Sequence, residues 1–357
     1  MESSANRAVA RISRRSLLAS LAWPAYALAD APNDAVNVRR LGAIGDGVAD
    51  DTEALIRAHA DGRPVFYPHP PRYYRITRYL PVISSVFGET SEIRIVQNGQ
   101  SETSVFRIVK NEHPLIIQGM VLDGAYSGGD HGEYSAGVQM YGARDVRIVH
   151  NTIKNQYGDC VYAGSSIDRV SSRNIVIQDN VLLNPRRCNV AVVCGENVSI
   201  LGNRMEKSVD YVAAIDLEPN PNGFDQVVGV TINRNVFDVV GTFLAASVNT
   251  GRPNTSLVVS RNRGRAIRFC YISSSAVVRH ALFSENTFSA NTADGVMFQV
   301  ENARNLTVVD NVDNTKCRSW AYRSVTLDDT QAWFQRNSFC GPLPAPRLRP
   351  RRWLGAG

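Results

Sequence analysis

Three stretches of the chain repeat one pattern of apolar and polar positions: an alternating, β-branched run, a polar corner with an Asn, then another apolar position. They read Val146-Arg147-Ile148-Val149-His150-Asn151-Thr152-Ile153, Ile175-Val176-Ile177-Gln178-Asp179-Asn180-Val181-Leu182, and Val198-Ser199-Ile200-Leu201-Gly202-Asn203-Arg204-Met205. Alternation at period two marks a strand with one buried face, and the Asn that ends it is a turn residue. Weaker copies carry Asn235, Asn262, Asn286, Asn311 and Asn337 in the same slot. Over the seven intervals from Asn151 to Asn337 the repeat averages about 27 residues, a period that signals stacked solenoid turns. Between the Asn phrases lie further strand segments at 133–141, 158–164, 187–195, 210–219, 242–249, 269–275 and 295–301. Helical character is confined to a segment near Thr52, which Asp50 or Asp51 can cap and Glu53 favours in its first turn. The pattern predicts an all-β solenoid, one domain over residues 30–340, with a short helix covering its N-terminal end. The Asn column itself is expected to be a hydrogen-bonded turn ladder.

The ends of the chain read differently. Arg7, Arg11 and the Ser13-Arg14-Arg15-Ser16-Leu17-Leu18 phrase precede a modest apolar run and Ala27-Leu28-Ala29. This resembles a twin-arginine signal peptide over residues 1–29, cleaved after Ala29, and it implies a periplasmic or secreted bacterial protein. The run from Ser16 to Ala29 is shorter than the roughly 20 residues of a spanning helix and contains Pro24, so no membrane association is expected after cleavage. Residues 341–357 form a basic, Pro-rich tail. The net charge of +6 belongs to these ends. Four arginines against Glu2 make the first segment strongly positive and four more make the tail so, leaving the body near neutral. Without a basic stripe, nucleic acid is not an expected partner. The cysteines Cys160, Cys188, Cys194, Cys270, Cys317 and Cys340 show no zinc-like spacing. Because twin-arginine cargo folds before export, they are expected as buried thiols.

At the N-terminus, Gly42-Ala43-Ile44-Gly45-Asp46-Gly47-Val48-Ala49-Asp50-Asp51-Thr52, followed by Pro64-Val65-Phe66-Tyr67-Pro68, resembles the opening segment of the pectate-lyase superfamily found in rhamnogalacturonase and epimerase-like proteins. The likeness covers about residues 36–77. It implies a single-stranded right-handed parallel β-helix, the pectin-lyase-like solenoid, with a polysaccharide groove along one stack of strands. The chain departs from the family where a Pro-x-Gly-x-Tyr turn is usual, carrying Pro68-His69-Pro70-Pro71-Arg72-Tyr73-Tyr74. The polygalacturonase set of Asn-Thr-Asp, a paired Asp, Gly-His-Gly and Arg-Ile-Lys is not carried, and Tyr157-Gly158-Asp159-Cys160 offers one acid where that branch has two. Asp46, Asp50 and Asp51 need no ligand, since Asp and Gly in a turn before a helix are explained by the turn. No metal is assigned.

The candidate chemistry lies in Asp210-Tyr211-Val212-Ala213-Ala214-Ile215-Asp216-Leu217-Glu218-Pro219. If Ala213, Ile215 and Leu217 face inward, Asp216 and Glu218 share the outer face with Cα atoms about 6.5 to 7 Å apart, near the separations that glycosidase carboxylates use. Asp210 reads as solvated surface. Counting inward residues as Cys188, Val190, Val192 and Cys194 on the preceding turn, and as Cys160 and Tyr162 before it, leaves Arg187, Asn189 and Asp159 outside. Asp159, Arg187, Asp216 and Glu218 are therefore expected to converge across three turns, with Asn249, Tyr271, Gln299 and Glu301 continuing the groove. His131 and His150 carry no assignment. The expected function is hydrolysis of an acidic or complex polysaccharide by Asp216 and Glu218 as acid and base, Asp159 assisting, Arg187 placing a sugar carboxylate or tempering the acids. No cofactor is required. The alternatives are a polysaccharide lyase or uronate epimerase, which would admit Ca²⁺ at Asp159, Asp216 and Glu218, and a non-catalytic carbohydrate-binding envelope protein. Association into a homo-oligomer is compatible with each.

Overall fold

All strand pairings among the described residues are parallel, each strand bonding to its counterpart one repeat away. Ile148 lies against Ile177, Ile177 against Ile200, Ile200 against Ile232, and Ile232 against Val259. The architecture is an all-β, right-handed parallel β-helix in which a 21-stranded sheet and a 10-stranded sheet enclose one core. The computed structural model describes residues 30–96, 103–246, 254–273, 278–290, 297–301, 303–314, 322–324 and 332–338. Residues 1–29, read above as a signal, the tail 341–357, Asn249, Cys317 and Cys340 lie outside the described residues.

The repeated Asn makes the corner within the larger sheet. The residue before it adopts a left-handed backbone: His150, Asp179, Gly202, Arg234, Arg261, Glu285, Asp310 and Arg336 all have φ between 51° and 62°. An L residue there is strained by roughly 1 to 2 kcal/mol, and the Asn side chains offset it. Each Asn amide N–H donates to Oδ1 of the Asn one turn on, from Asn151 to Asn180 at 2.9 Å, Asn180 to Asn203 at 3.0 Å and Asn203 to Asn235 at 2.9 Å. Each Nδ2 also donates back to the preceding turn, as Asn180 does to Ile148 O and Asn203 to Ile177 O. The ladder runs unbroken to Asn337. The expected turn ladder is present, and it fixes the register of successive turns.

The N-terminal cap is the helix Thr52–Ala60, which buries Leu55, Ala58 and His59. Asp50 Oδ1 accepts the Thr52 N–H, while the Asp51 carboxylate turns back to Ile44 N and Gly45 N. The Asp cluster is thus consumed by turn and helix N–H groups. Buried His59 bonds Tyr67 at 2.7 Å, and burial lowers its pKa to about 3, so it is a neutral core residue. Toward the C-terminal turns the core becomes aromatic, with Phe269 against Phe243, Phe288 and Phe298. Cys160, Cys188, Cys194 and Cys270 are buried free thiols. No described helix is long and apolar enough to cross a membrane.

Candidate active site

The 10-stranded sheet carries the candidate chemistry on its outer face. Register pairs Gln139 with Tyr162, Ala191 with Asp216, Asp216 with Ala245, Ala245 with Tyr271 and Tyr271 with Gln299. Tyr162 pairs with Ala191, so these residues form one outward column. Asp216 sits in it between two alanines, whose small side chains leave a depression. The resulting cleft has a volume of about 550 Å³ and is lined by Asp216, Glu218, Arg187, Glu133, Asp210, Tyr211, Arg268, Tyr271 and the small residues between them. Ile215 and Leu217 point into the core, so Asp216 and Glu218 do share the outer face.

Arg187 organises the N-terminal side of the cleft. Only 13% of its side chain is exposed, and it meets three carboxylates: Glu133, Asp159 with Nε to Oδ1 at 3.6 Å, and Glu218 with Nη2 to Oε2 at 3.6 Å. Glu133 reaches it because the chain packs directly on Gly158, where a Cβ would lie 2.2 Å from Ser135 O and 2.4 Å from Glu133 O. Asp159 is buried beneath Arg187 and does not line the cleft. Its Oδ1 accepts the Cys188 N–H at 3.0 Å. Burial, reinforced by the charge of Glu218 and opposed by the Cys188 hydrogen bonds, raises its pKa to about 7. Asp159 is therefore a carboxyl that holds its proton well above the usual acid range and can exchange it near neutrality. Glu218 keeps 33% of its side chain exposed, whereas Asp216 is 1% exposed on the floor.

The lip of the cleft is the segment leading to Ile215. Buried Lys207 donates from Nζ to Val209 O, which anchors this segment, and the Asp210 carboxylate packs on Gly241, where a Cβ would approach within 2.0 Å of Oδ1. Tyr211 is 57% exposed and lies under the Arg186 guanidinium at 4.9 Å. One face of the ring is thus braced by a cation and the other left half open to solvent.

Not every expected residue joins this site. Asn189 turns inward, fully buried, with Nδ2 donating to Leu182 O and Glu206 O. The cause is the sheet corner, where two consecutive residues enter the core: Cys160 with Val161, and Ala214 with Ile215. Parity counted across that corner fails by one, which also puts Tyr162 outside rather than inside. Gln299 and Glu301 lie farther along the outer face and bond each other at 2.8 Å, without lining the cleft. Asp210, read as plain surface, lines it, as do Glu133, Tyr211 and Arg268, which were not expected there. Their signal was weak because Glu133, Asp210 and Tyr211 precede a strand and Arg268 opens one, where periodicity gives no direction. Among the described residues, no cluster of three or more His, Cys, Asp or Glu is arranged to hold a metal ion.

No protein family and no curated protein matches the chain in sequence. Solved structures do resemble it in fold. The hyperthermoactive exopolygalacturonase of Thermotoga maritima aligns at 14% identity with a TM-score of 0.58, over 87% of this chain and 93% of that one. The surface adhesin PfbA of Streptococcus pneumoniae aligns at 15% identity and 0.58, over 85% and 91%. The tailspike of E. coli bacteriophage HK620, solved with a pentasaccharide, aligns at 14% identity and 0.56, over 85% and 65%. At such identities the likeness is one of fold.

Proposed function

We propose that this β-helix protein is an exported carbohydrate-active enzyme that hydrolyses a polysaccharide in the cleft around Asp216. The observation that carries the reading is the pair Asp216 and Glu218 on the outer face of one strand, at the floor and rim of an open cleft. Solved proteins of the same fold that include a polygalacturonase and a tailspike bound to a pentasaccharide support a sugar chain as the occupant. Asp216, on the dry floor between two alanines, is assigned the acid that protonates the glycosidic oxygen. Glu218, partly open to water, is assigned the base that activates the attacking water. Arg187 lies 3.6 Å from Glu218 and holds it as an ionised base, and a water placed between the two carboxyls would give inversion. Asp159 assists from beneath: as it gains or loses its proton near neutral pH, it changes how much of the Arg187 charge acts on Glu218.

The test is incubation of the protein with uronate-rich and neutral polysaccharides while reducing ends and ultraviolet absorbance are followed together. Hydrolysis predicts reducing ends without absorbance, and a loss of about 10²- to 10⁴-fold in kcat for Asp216→Asn and for Glu218→Gln, the range for removing a general acid or base. Absorbance rising in step with reducing ends would assign β-elimination instead. No product from a broad panel, with glycan binding retained, would replace the enzyme by a binding protein.

A further inference from the structure

Two arginines line the cleft, and their surroundings differ. Arg187 is committed to three carboxylates. Arg268 has no carboxylate within ion-pairing distance among the described residues. Its only side-chain hydrogen bond there runs from Nη1 to the Thr242 hydroxyl at 3.4 Å, and its Nε is buried without a hydrogen-bond partner. The guanidinium lies over the Tyr271 ring, 5.0 Å from its centre. A guanidinium stays charged at every accessible pH, and stacking on an aromatic face fixes the plane of its fork before any ligand arrives. Arg268 is thus an oriented cation whose charge no described carboxylate answers.

Its position is specific. Asp216 pairs with Ala245 and Ala245 with Tyr271, so Tyr271 stands two strand spacings, about 9 to 10 Å, to the C-terminal side of the acid, and Arg268, three residues earlier on the same strand, lays its guanidinium over that ring. The cleft carboxylates Glu133, Asp210, Asp216 and Glu218 all lie at or before the Asp216 turn. An anionic sugar over those acids would be repelled. Two turns further on it would meet the Arg268 guanidinium, which, unlike Arg187 with its three carboxylates, has no carboxylate within ion-pairing distance among the described residues. We propose that Arg268 is a specificity residue that binds the carboxylate of an acidic sugar unit on the C-terminal side of Asp216, with Tyr271 orienting it. The planar fork suits a carboxylate, which it can hold through two parallel N–H donors. The proposal rests on the hydrolase reading for where the sugar chain lies, while its test reads binding alone.

The experiment measures equilibrium binding of the full chain, wild type, Arg268→Gln and Arg268→Lys, to polygalacturonate and to alginate. The same two polymers are tested after chemical reduction of their carboxyl groups to alcohols. The wild type is expected to bind at least one native polymer about tenfold or more tighter than its reduced form, the range of a charge-assisted contact. Arg268→Gln should remove that preference and leave the reduced polymer bound as before. Arg268→Lys should retain part of it, since it keeps the charge and loses the fork, and it tests the idea even if the Gln variant does not fold. Equal weakening on native and reduced polymers would mean that Arg268 only packs, and no preference by the wild type, or no binding at all, would overturn the proposal. Carboxyl-dependent binding without any hydrolysis would leave the Arg268 site standing and sink the hydrolase reading. Hydrolysis with no carboxyl preference would do the reverse.

Discussion

Replacing Asp159 by Asn separates its charge from its shape. The amide oxygen can still accept the Cys188 N–H that Asp159 Oδ1 accepts at 3.0 Å, and only the ionisable proton is lost. In the unfolded chain this carboxyl titrates near 3.8, and in the fold near 7, because burial and the charge of Glu218 outweigh the hydrogen bonds from Cys188. Between those values the folded protein binds the proton and the unfolded chain does not, so the group's contribution to stability falls as pH rises and levels off above pH 7. Set against a permanently neutral Asn, the full interval corresponds to about 4 kcal/mol at pH 8, of which about 2 to 3 kcal/mol develops between pH 5 and pH 8. Urea unfolding of wild type and Asp159→Asn at pH 5, 6, 7 and 8 reads this directly, since groups not coupled to Asp159 titrate alike in both proteins. The Asn variant is expected to be the more stable, by a margin that widens with pH. A margin constant over that range, or an Asn variant less stable at pH 8, would show that Arg187, 3.6 Å away, holds Asp159 ionised and that the buried-acid argument is wrong.

Other perturbations probe the frame around the cleft. Asn203→Ala leaves the Asn180 N–H and Nδ2 without their acceptor and Ile177 O without its donor. It should cost about 2 to 4 kcal/mol, because buried groups lose their partners, as a fall in the urea midpoint. Phe269→Ala opens a cavity among Phe243, Phe288 and Phe298 and should cost about 3 to 5 kcal/mol by calorimetry. Gly158→Ala drives a Cβ into Ser135 O and displaces Glu133 from Arg187. Its kcat/KM is expected to fall by roughly tenfold or more, since a displacement of about 1 Å near the chemistry suffices for larger losses. A kcat/KM equal to wild type would mean that Glu133 plays no part in setting Arg187.

The solenoid was legible because its determinants are local and repeated. An Asn after an alternating apolar run states both the corner and the register, and eight copies state the stacking. The outward pair Asp216 and Glu218 was legible for the same reason, being fixed by Ile215 and Leu217 on either side of Asp216. What parity missed was the corner before the strand. There Asn189 occupies the slot of Cys160 and Ala214 and faces the interior, which no period of two predicts. The rest of the cleft comes from residues adjacent in space and remote in sequence. Glu133 is 54 residues from Arg187, brought there by the close packing on Gly158, and Arg268 comes to the Asp216 turn across two strand pairings. Such contacts depend on side-chain direction and loop path, which one sequence does not encode in any short pattern.

The Asn ladder has a bearing on how such a protein changes over time. Its rungs are separated by 29, 23, 32, 27, 24, 25 and 26 residues, yet every rung closes with the same geometry. The ladder therefore tolerates variation in the length of a turn and exports it to the opposite side. The longest interval, between Asn203 and Asn235, is the one that contains Asp210, Tyr211, Asp216 and Glu218. Insertions there can reshape the mouth of the cleft while neighbouring turns stay in register, so chemistry and scaffold are free to diversify separately.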